Sequence, residues 1–309
     1  MLAAYIRSLR GNEASLATLS ILASTFLWGT MWIPLRYLEG EGLQGIWPTV
    51  VINVAGGCFF LLLLLIRRQP VRQPGQLLVI GILFGVGLFG YGGALVITTV
   101  IKATLLFYLT PVWGTVIGCV FLKEKLTPRR IIAVIGGLLG LFIILGGDLN
   151  TVPLPSNAGD WLALASGICW SLGCFLAFTS IPRGTIELTV SMCIGSIIVA
   201  AAFVLAFGLE VAGAPPDLAG LHAVSIAAIV IVAIHFIPLS LLTMWGTPRL
   251  PPARVGILLM LEVVIAVTLA ALLTDDPFGL REIIGAALVL AAGVIEVSGG
   301  GKPADDHQA

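Results

Sequence analysis

Few residues of this chain carry charge. Lys, Arg, Asp and Glu together make up 10% of its 309 residues, where a water-soluble domain has about 25%. A chain so poor in charge cannot cover a water-facing surface. Its 58% hydrophobic content and mean hydropathy of +1.08 place it among polytopic membrane proteins. The 16 basic and 16 acidic residues cancel, so no nucleic-acid partner is expected. Histidine is scarcer still. His222, His235 and His307 have no thiol or carboxylate at metal-ligand spacing. The five cysteines form no CxxC pair and read as small buried apolar residues. A Ser-His-Asp constellation, a phosphate loop and an intramembrane Asp pair are also lacking. The sequence therefore reads as no enzyme and calls for no cofactor or metal.

What is present is apolar sequence in lengths that cross a bilayer, roughly 20 residues each. Nine charged or Pro/Gly-rich breaks divide the chain into ten expected spans. These are 16–38, 45–66, 77–97, 103–122, 130–147, 159–181, 187–208, 222–245, 254–273 and 282–298. Strict alternation is lacking and the segments are too long for tilted strands, which excludes a β-barrel. The run from Leu16 to Leu38 exceeds a signal-peptide core of roughly 7–15 residues, so it is read as an uncleaved first span. Residues 1–15 and 299–309 are then tails. With the N-terminus inside, thirteen of the 16 Lys and Arg face the cytoplasm, and Arg36, Lys102 and Arg281 face out. That asymmetry fits the positive-inside rule and puts both termini in the cytoplasm.

The halves 16–147 and 159–298 resemble each other. Leu22, Ala23, Ser24 and Trp28 meet Leu164, Ala165, Ser166 and Trp170 at a constant offset of 142. "LLFYLTPVWGTVIG" aligns with "ILLMLEVVIAVTLA". Five spans per half is odd, so the repeats are expected to be inverted, as in secondary transporters with a central site at the midplane. The alternative is that any two helices rich in Gly, Ala and Leu align.

The residues at membrane depth supply the candidate site. Glu262, near the middle of span 9, is read as a cavity group for a substrate ammonium or a proton, or as a hydrogen-bond partner for broken backbone. His235 in span 8 is placed to meet it, or simply satisfies a neighbour; Pro238 predicts a kink just beyond. Asn53 lines a cavity or bonds between helices. Trp28, Tyr91, Tyr108, Trp113, Trp170 and Phe175 lie deep enough to be cavity walls or packing rings. Trp47, Trp161 and Trp245 read as interface anchors, Lys102 as a snorkelling one. Pro111 removes a backbone donor and frees the carbonyl of Phe107, which Thr110, Thr115 or water must satisfy. It is a candidate hinge. At the corresponding place span 9 has Glu262, so one half is expected to bend and the other to carry charge. The pairs Gly81/Gly85 and Gly136/Gly140 predict close helix packing, and spans 5 and 10 read as packing or dimer-forming helices.

"FLWGTMWIPLRYL", "ATLLFYLTPVWGTVIG" with "KEKLTPRRIIAVIGGLLGLFIIL", and "LEVVIAVTLAALL" before "IIGAALVLAAGVI" resemble the EamA-like branch of the drug/metabolite transporter superfamily. Within it they look most like YddG-type amino acid exporters. One departure is Glu262-Val263, where many second repeats carry Glu-Pro. The resemblance implies a bacterial inner-membrane secondary transporter for small amphipathic metabolites, amino acids including aromatic ones. It would be a monomer or weak homodimer, driven by the substrate gradient or protons. A multidrug exporter of lipophilic cations is the alternative within transport, and a non-transporting scaffold the alternative outside it.

Overall fold

The computed structural model describes residues 2–68, 71–146, 154–180, 184–215, 221–274 and 278–299, with side chains from Glu13 onward except 221–225 and 299. Arg183, Lys302, His307 and most of the C-terminal tail lie outside these residues, as do the side chains of Arg7, Arg10 and His222. Among the described residues every regular element is helical. In chain order they are α1 (Leu2–Thr30), α2 (Trp32–Gly40), α3 (Trp47–Arg67), α4 (Pro74–Gly85), α5 (Tyr91–Ile97), α6 (Val100–Phe107), α7 (Thr110–Phe121) and α8 (Pro128–Ile144). Then follow α9 (Ala158–Thr179), α10 (Thr185–Ala212), α11 (Leu221–Ile231), α12 (Ile237–Gly246), α13 (Pro252–Leu259), α14 (Leu261–Leu273) and α15 (Leu280–Gly299). The expected N-terminal tail differs: helix runs back from the first span to Leu2.

Among the described residues eight stretches are long and apolar enough to cross a membrane: Glu13–Gly40, Trp47–Arg67, Pro74–Ile97, Val100–Phe121, Ala158–Thr179, Thr185–Ala212, Ile226–Arg249 and Pro252–Leu273. Their outer faces hold large apolar side chains that only lipid could cover, such as Leu205, 88% exposed, and Ile234, 73% exposed. α8 and α15 stand outside those eight and pack along each other, with Gly140 and Gly285 backbone to backbone. This joins the segments expected as spans 5 and 10 inside one chain.

Proline decides where helices start. Pro48, Pro74, Pro128 and Pro252 occupy the first turn of α3, α4, α8 and α13, where a missing N–H costs nothing. Thr127 and Asn157 cap α8 and α9 by accepting from the backbone N–H of Arg130 (3.3 Å) and Asp160 (2.9 Å). Small residues decide where helices touch. A Cβ at Gly195 would run into the backbone of Gly81, and one at Gly81 into Ser191, so α4 and α10 cross with their backbones in contact. Gly136, in contrast, faces open space.

Five of the described spans are interrupted by a break or a π turn, and α10 kinks at Gly208. The first breaks at Met31 ahead of Pro34. Two contain single π turns, Val86–Gly90 between α4 and α5 and Val232–Phe236 between α11 and α12. The second of these lies directly before Pro238, where a kink is expected. The span from Val100 breaks at Tyr108–Leu109, just before Pro111. A further break falls at Met260, between α13 and α14, with no proline near it. The expected division, a bend in one half and a charge in the other, therefore fails, because both chain segments bend.

Candidate functional site

The two broken spans lie side by side, and their breaks bring the candidate residues together. α7 crosses α13 closely: a Cβ on Gly114 would sit 2.8 Å from the Ala253 nitrogen, and one on Gly256 would sit 3.1 Å from Pro111. At the break, Pro111 frees the Phe107 carbonyl, and the Thr110 hydroxyl donates to it at 2.5 Å. Thr115 instead donates to the Pro111 carbonyl at 2.7 Å. The neighbouring helix α9 also contributes, with the Ser171 hydroxyl donating to the Thr110 carbonyl at 3.0 Å. The freed backbone is thus satisfied by protein, as hydrocarbon surroundings require.

Across the gap, the break at Met260 starts a fresh helix, and Glu262 stands in its first turn. A helix N-terminus carries partial positive charge, which favours a carboxylate there. The Tyr108 hydroxyl donates to Glu262 Oε1. A side-chain hydrogen bond contributes about 0.5–1.5 kcal/mol net, and leaving a buried partner unmatched costs about 1–3 kcal/mol. Tyr108 is buried at 3% exposure, and Glu262 is partly buried beside it. On the other side, Gly29 of α1 lets the backbone of α14 approach; a Cβ there would sit 2.7 Å from the Glu262 carbonyl.

Aromatic rings continue from this pair. Tyr91 stacks on Phe107 with centroids 4.4 Å apart, and Phe107 meets Tyr108 edge-on at 5.2 Å. The Tyr91 and Thr104 hydroxyls bond at 3.1 Å. Each such ring pair contributes about 0.5–1.5 kcal/mol beyond its burial. Phe107 escapes the sequence reading as a site residue. Its ring sits in the middle of the stack, yet an apolar Phe in an apolar run gives no signal.

The remaining candidates divide. Trp28 and Trp170, expected at equivalent places, touch edge-to-face at 6.2 Å, and Trp28 donates its indole N–H to Thr243 at 3.2 Å. Among the described residues the buried Trp113 indole N–H has no partner. Phe175 packs on Phe121 at 5.4 Å, at the far end of α7 from the stack. Asn53 is 1% exposed and donates to Thr49 in its own helix at 3.0 Å; among the described residues it makes no bond across helices and its carbonyl oxygen has no partner.

His235 does not pair with Glu262. Its Nε2 donates to the Leu27 carbonyl at 2.8 Å. The reason is the break in the first span: the Met31 N–H turns to Trp28 at 3.1 Å, which leaves the Leu27 carbonyl free for the imidazole and for the Thr30 hydroxyl at 3.0 Å. Pro238 follows the π turn and takes no part in the stack.

Two ion pairs join distant segments of the chain. Asp160, fully buried at the start of α9, accepts from Thr98 at 2.6 Å and from the Ser156 N–H and hydroxyl, each at 2.9 Å; Lys102 lies 3.5 Å away. Lys102 is therefore a paired cation and no mere lipid anchor. In the second pair Arg249 donates to Glu13 at 3.0 Å and covers the Trp245 ring at 4.3 Å. Glu296 is 3.7 Å from Arg130, which also binds Glu124.

The sequence pattern of the EamA-like transporter family matches the chain twice, over residues 15–146 and 157–297. The chain is similar to the uncharacterized transporter YoaV of Bacillus subtilis (strain 168), 25% identical over 164 residues, covering 50% of this chain and 54% of the relative. It is also similar to the uncharacterized transporter YyaM of the same organism, 24% identical over 141 residues, covering 43% and 45%. The chain spans about half the length of these curated relatives. A solved structure titled only "Crystal structure of protein" superposes with a TM-score of 0.69 at 20% identity, over 91% of this chain and 98% of that one, and shows a shared fold.

Proposed function

Because the chain belongs to the EamA-like transporter family, we propose that it is a secondary transporter that moves amino acids, aromatic ones among them, across a bacterial inner membrane by alternating access. The eight membrane-length stretches, with α8 and α15 added, make ten spans in two halves of five, 16–147 and 159–298. An odd number per half turns the second half upside down relative to the first. Several features support that relation. The family pattern matches once per half. One π turn falls in the third span of each half, and one break falls in each fourth span. The Lys102–Asp160 and Glu13–Arg249 pairs have the same logic at opposite ends, each joining the loop between third and fourth spans of one half to the first span of the other.

The observation that carries the substrate reading is a membrane-depth carboxylate, Glu262, bonded to Tyr108 at the edge of a ring stack. In this reading Glu262 receives the substrate ammonium and the Tyr91–Phe107–Tyr108 rings receive its side chain. The unpartnered Trp113 indole N–H is a donor for its carboxylate. Pro111 serves as hinge, and protons are a coupling ion that Glu262 can exchange. His235 and Pro238 hold the first and eighth spans in shape, while Trp28 and Trp170 close one wall.

The test is uptake into proteoliposomes of radiolabelled phenylalanine, tryptophan and leucine, alongside a quaternary ammonium dye and a nucleoside. Saturable uptake of an amino acid is expected. Transport of the dye without any amino acid overturns the reading in favour of a lipophilic-cation exporter. No transport of any of them favours a scaffold.

A further inference from the structure

Away from Glu262, a cleft of about 770 Å³ opens between α1, α3, α10 and α12, at the end of the bundle where α1 enters the membrane. Its volume is in the range of sites for small organic ligands, roughly 300–1,000 Å³. Leu16 and Leu19 from α1, Leu64 from α3 and Leu241 and Leu242 from α12 form its walls. From Leu16 to Ala23 the cleft descends about 10 Å along α1, at 1.5 Å per residue. Nothing in its depth asks for a polar ligand, because the Ser20 hydroxyl already donates to the Leu242 carbonyl at 2.8 Å. The mouth is open toward the bilayer, with Leu16 and Leu19 49% and 62% exposed.

The rim is different. Arg67 ends α3, Glu187 stands in the first turn of α10, and both line the cleft. Neither takes part in an ion pair among the described residues. Glu187 folds back over Gly184 at the start of its helix, which places negative charge where a helix start would otherwise draw an anion. The cleft is therefore apolar in its depth, with one cation and one anion free at its mouth.

We propose that this cleft binds a phospholipid whose headgroup carries a phosphate and a primary ammonium. The acyl chain fills the apolar depth, Arg67 binds the phosphate and Glu187 accepts hydrogen bonds from the ammonium. The chemistry discriminates among bilayer lipids. A phosphoglycerol headgroup has an anion for Arg67 but nothing for Glu187, and its charge is repelled by that carboxylate. A phosphocholine headgroup has a cation that cannot donate a hydrogen bond. Charge-assisted hydrogen bonds are the strong ones, so a phosphoethanolamine headgroup is preferred over both. The site is independent of what the protein transports.

The full chain, purified in detergent and stripped of lipid, is titrated by native mass spectrometry with phosphatidylethanolamine, phosphatidylglycerol and phosphatidylcholine of identical acyl chains. The expected result is a preference for phosphatidylethanolamine of about fivefold or more, consistent with one charge-assisted contact. Arg67→Gln and Glu187→Gln each remove the preference, and Leu19→Trp, which fills the cleft, removes the tightly held lipid altogether. On the unaltered protein, photoreactive phosphatidylethanolamine is expected to label peptides around residues 16–23, 64–67 and 241–245. Equal retention of the three lipids, a preference that survives both substitutions, or labelling confined to other helices overturns the proposal. The labelling result stands even if a variant fails to fold.

Discussion

Among the described residues the Tyr108–Glu262 hydrogen bond joins the spans of α7 and α13 at their breaks, and this fixes what a substitution there does. Replacing the carboxylate by an amide keeps its shape and removes its charge. Glu262→Gln is expected to lower amino acid uptake by about tenfold or more, the scale of one charged contact. Tyr108→Phe keeps the ring and loses only the donor, so it is expected to lower uptake by a smaller factor. The double variant should be no worse than Glu262→Gln alone, because both remove the same interaction. Additive losses in that cycle, measured as initial uptake rates, would show that the two act separately. The sequence announces Glu262, since a carboxylate among Leu and Val is costly without a purpose. It announces Tyr108 by its hydroxyl in an apolar run. It cannot announce who bonds to whom. His235 and Glu262 stand at similar depths in adjacent spans, yet the imidazole goes to the Leu27 carbonyl. That carbonyl is free only because the first span breaks at Met31, a backbone event on a distant helix.

At the scale of elements, helix positions follow from apolar length, and their ends from proline and capping residues, which is why α9 at Ala158–Thr179 and α15 at Leu280–Gly299 fall within a few residues of the segments expected at 159–181 and 282–298. Breaks were legible only where a proline causes them. Pro111 marks the break at Tyr108–Leu109, while the break at Met260 has no such residue and is set by packing against α1 and α7. Glycines tell a similar story. Gly81 and Gly136 each open a GxxxG pair, but Gly81 touches the α10 backbone and Gly136 touches nothing. Sequence spacing does not say which face of a helix is covered. Gly195→Ala is therefore expected to destabilise the protein by about 1–3 kcal/mol, the usual cost of forcing volume into a filled contact. Gly136→Ala is expected to be neutral. Thermal melting of both variants in the same detergent checks the contrast, and equal melting temperatures would contradict the backbone crossing of α4 and α10.

For the molecule as a whole, the asymmetry of the two broken spans sets a direction. α7 and α13 cross tightly at the end that carries Lys123, Lys125, Arg129, Arg130, Arg249 and Arg254. Their continuations α6 and α14 make no comparable crossing; α6 packs on α9 and α14 on α1. The two helices meet at this basic end, which the proposed orientation puts in the cytoplasm. The proposed alternating access would part α7 and α13 during each cycle, with the breaks at Tyr108–Leu109 and Met260 absorbing the change. The Lys102–Asp160 and Glu13–Arg249 pairs join the segment before each fourth span to the first span of the other half. A wedge tests the parting. A Cβ on Gly114 would lie 2.9 Å from the Ala253 Cα and one on Gly256 3.1 Å from Pro111, so a side chain added at Gly114 pushes the two helices apart. Gly114→Ala, and Gly114→Val more strongly, is expected to lower initial uptake rates by favouring the parted state. With the other four native cysteines replaced, the same substitutions are expected to speed labelling of Cys119 on α7 by a membrane-permeant thiol reagent. Uptake and Cys119 labelling both equal to those of the unaltered protein would mean that the α7–α13 crossing plays no part in the cycle, and the path for substrate would have to lie elsewhere in the bundle.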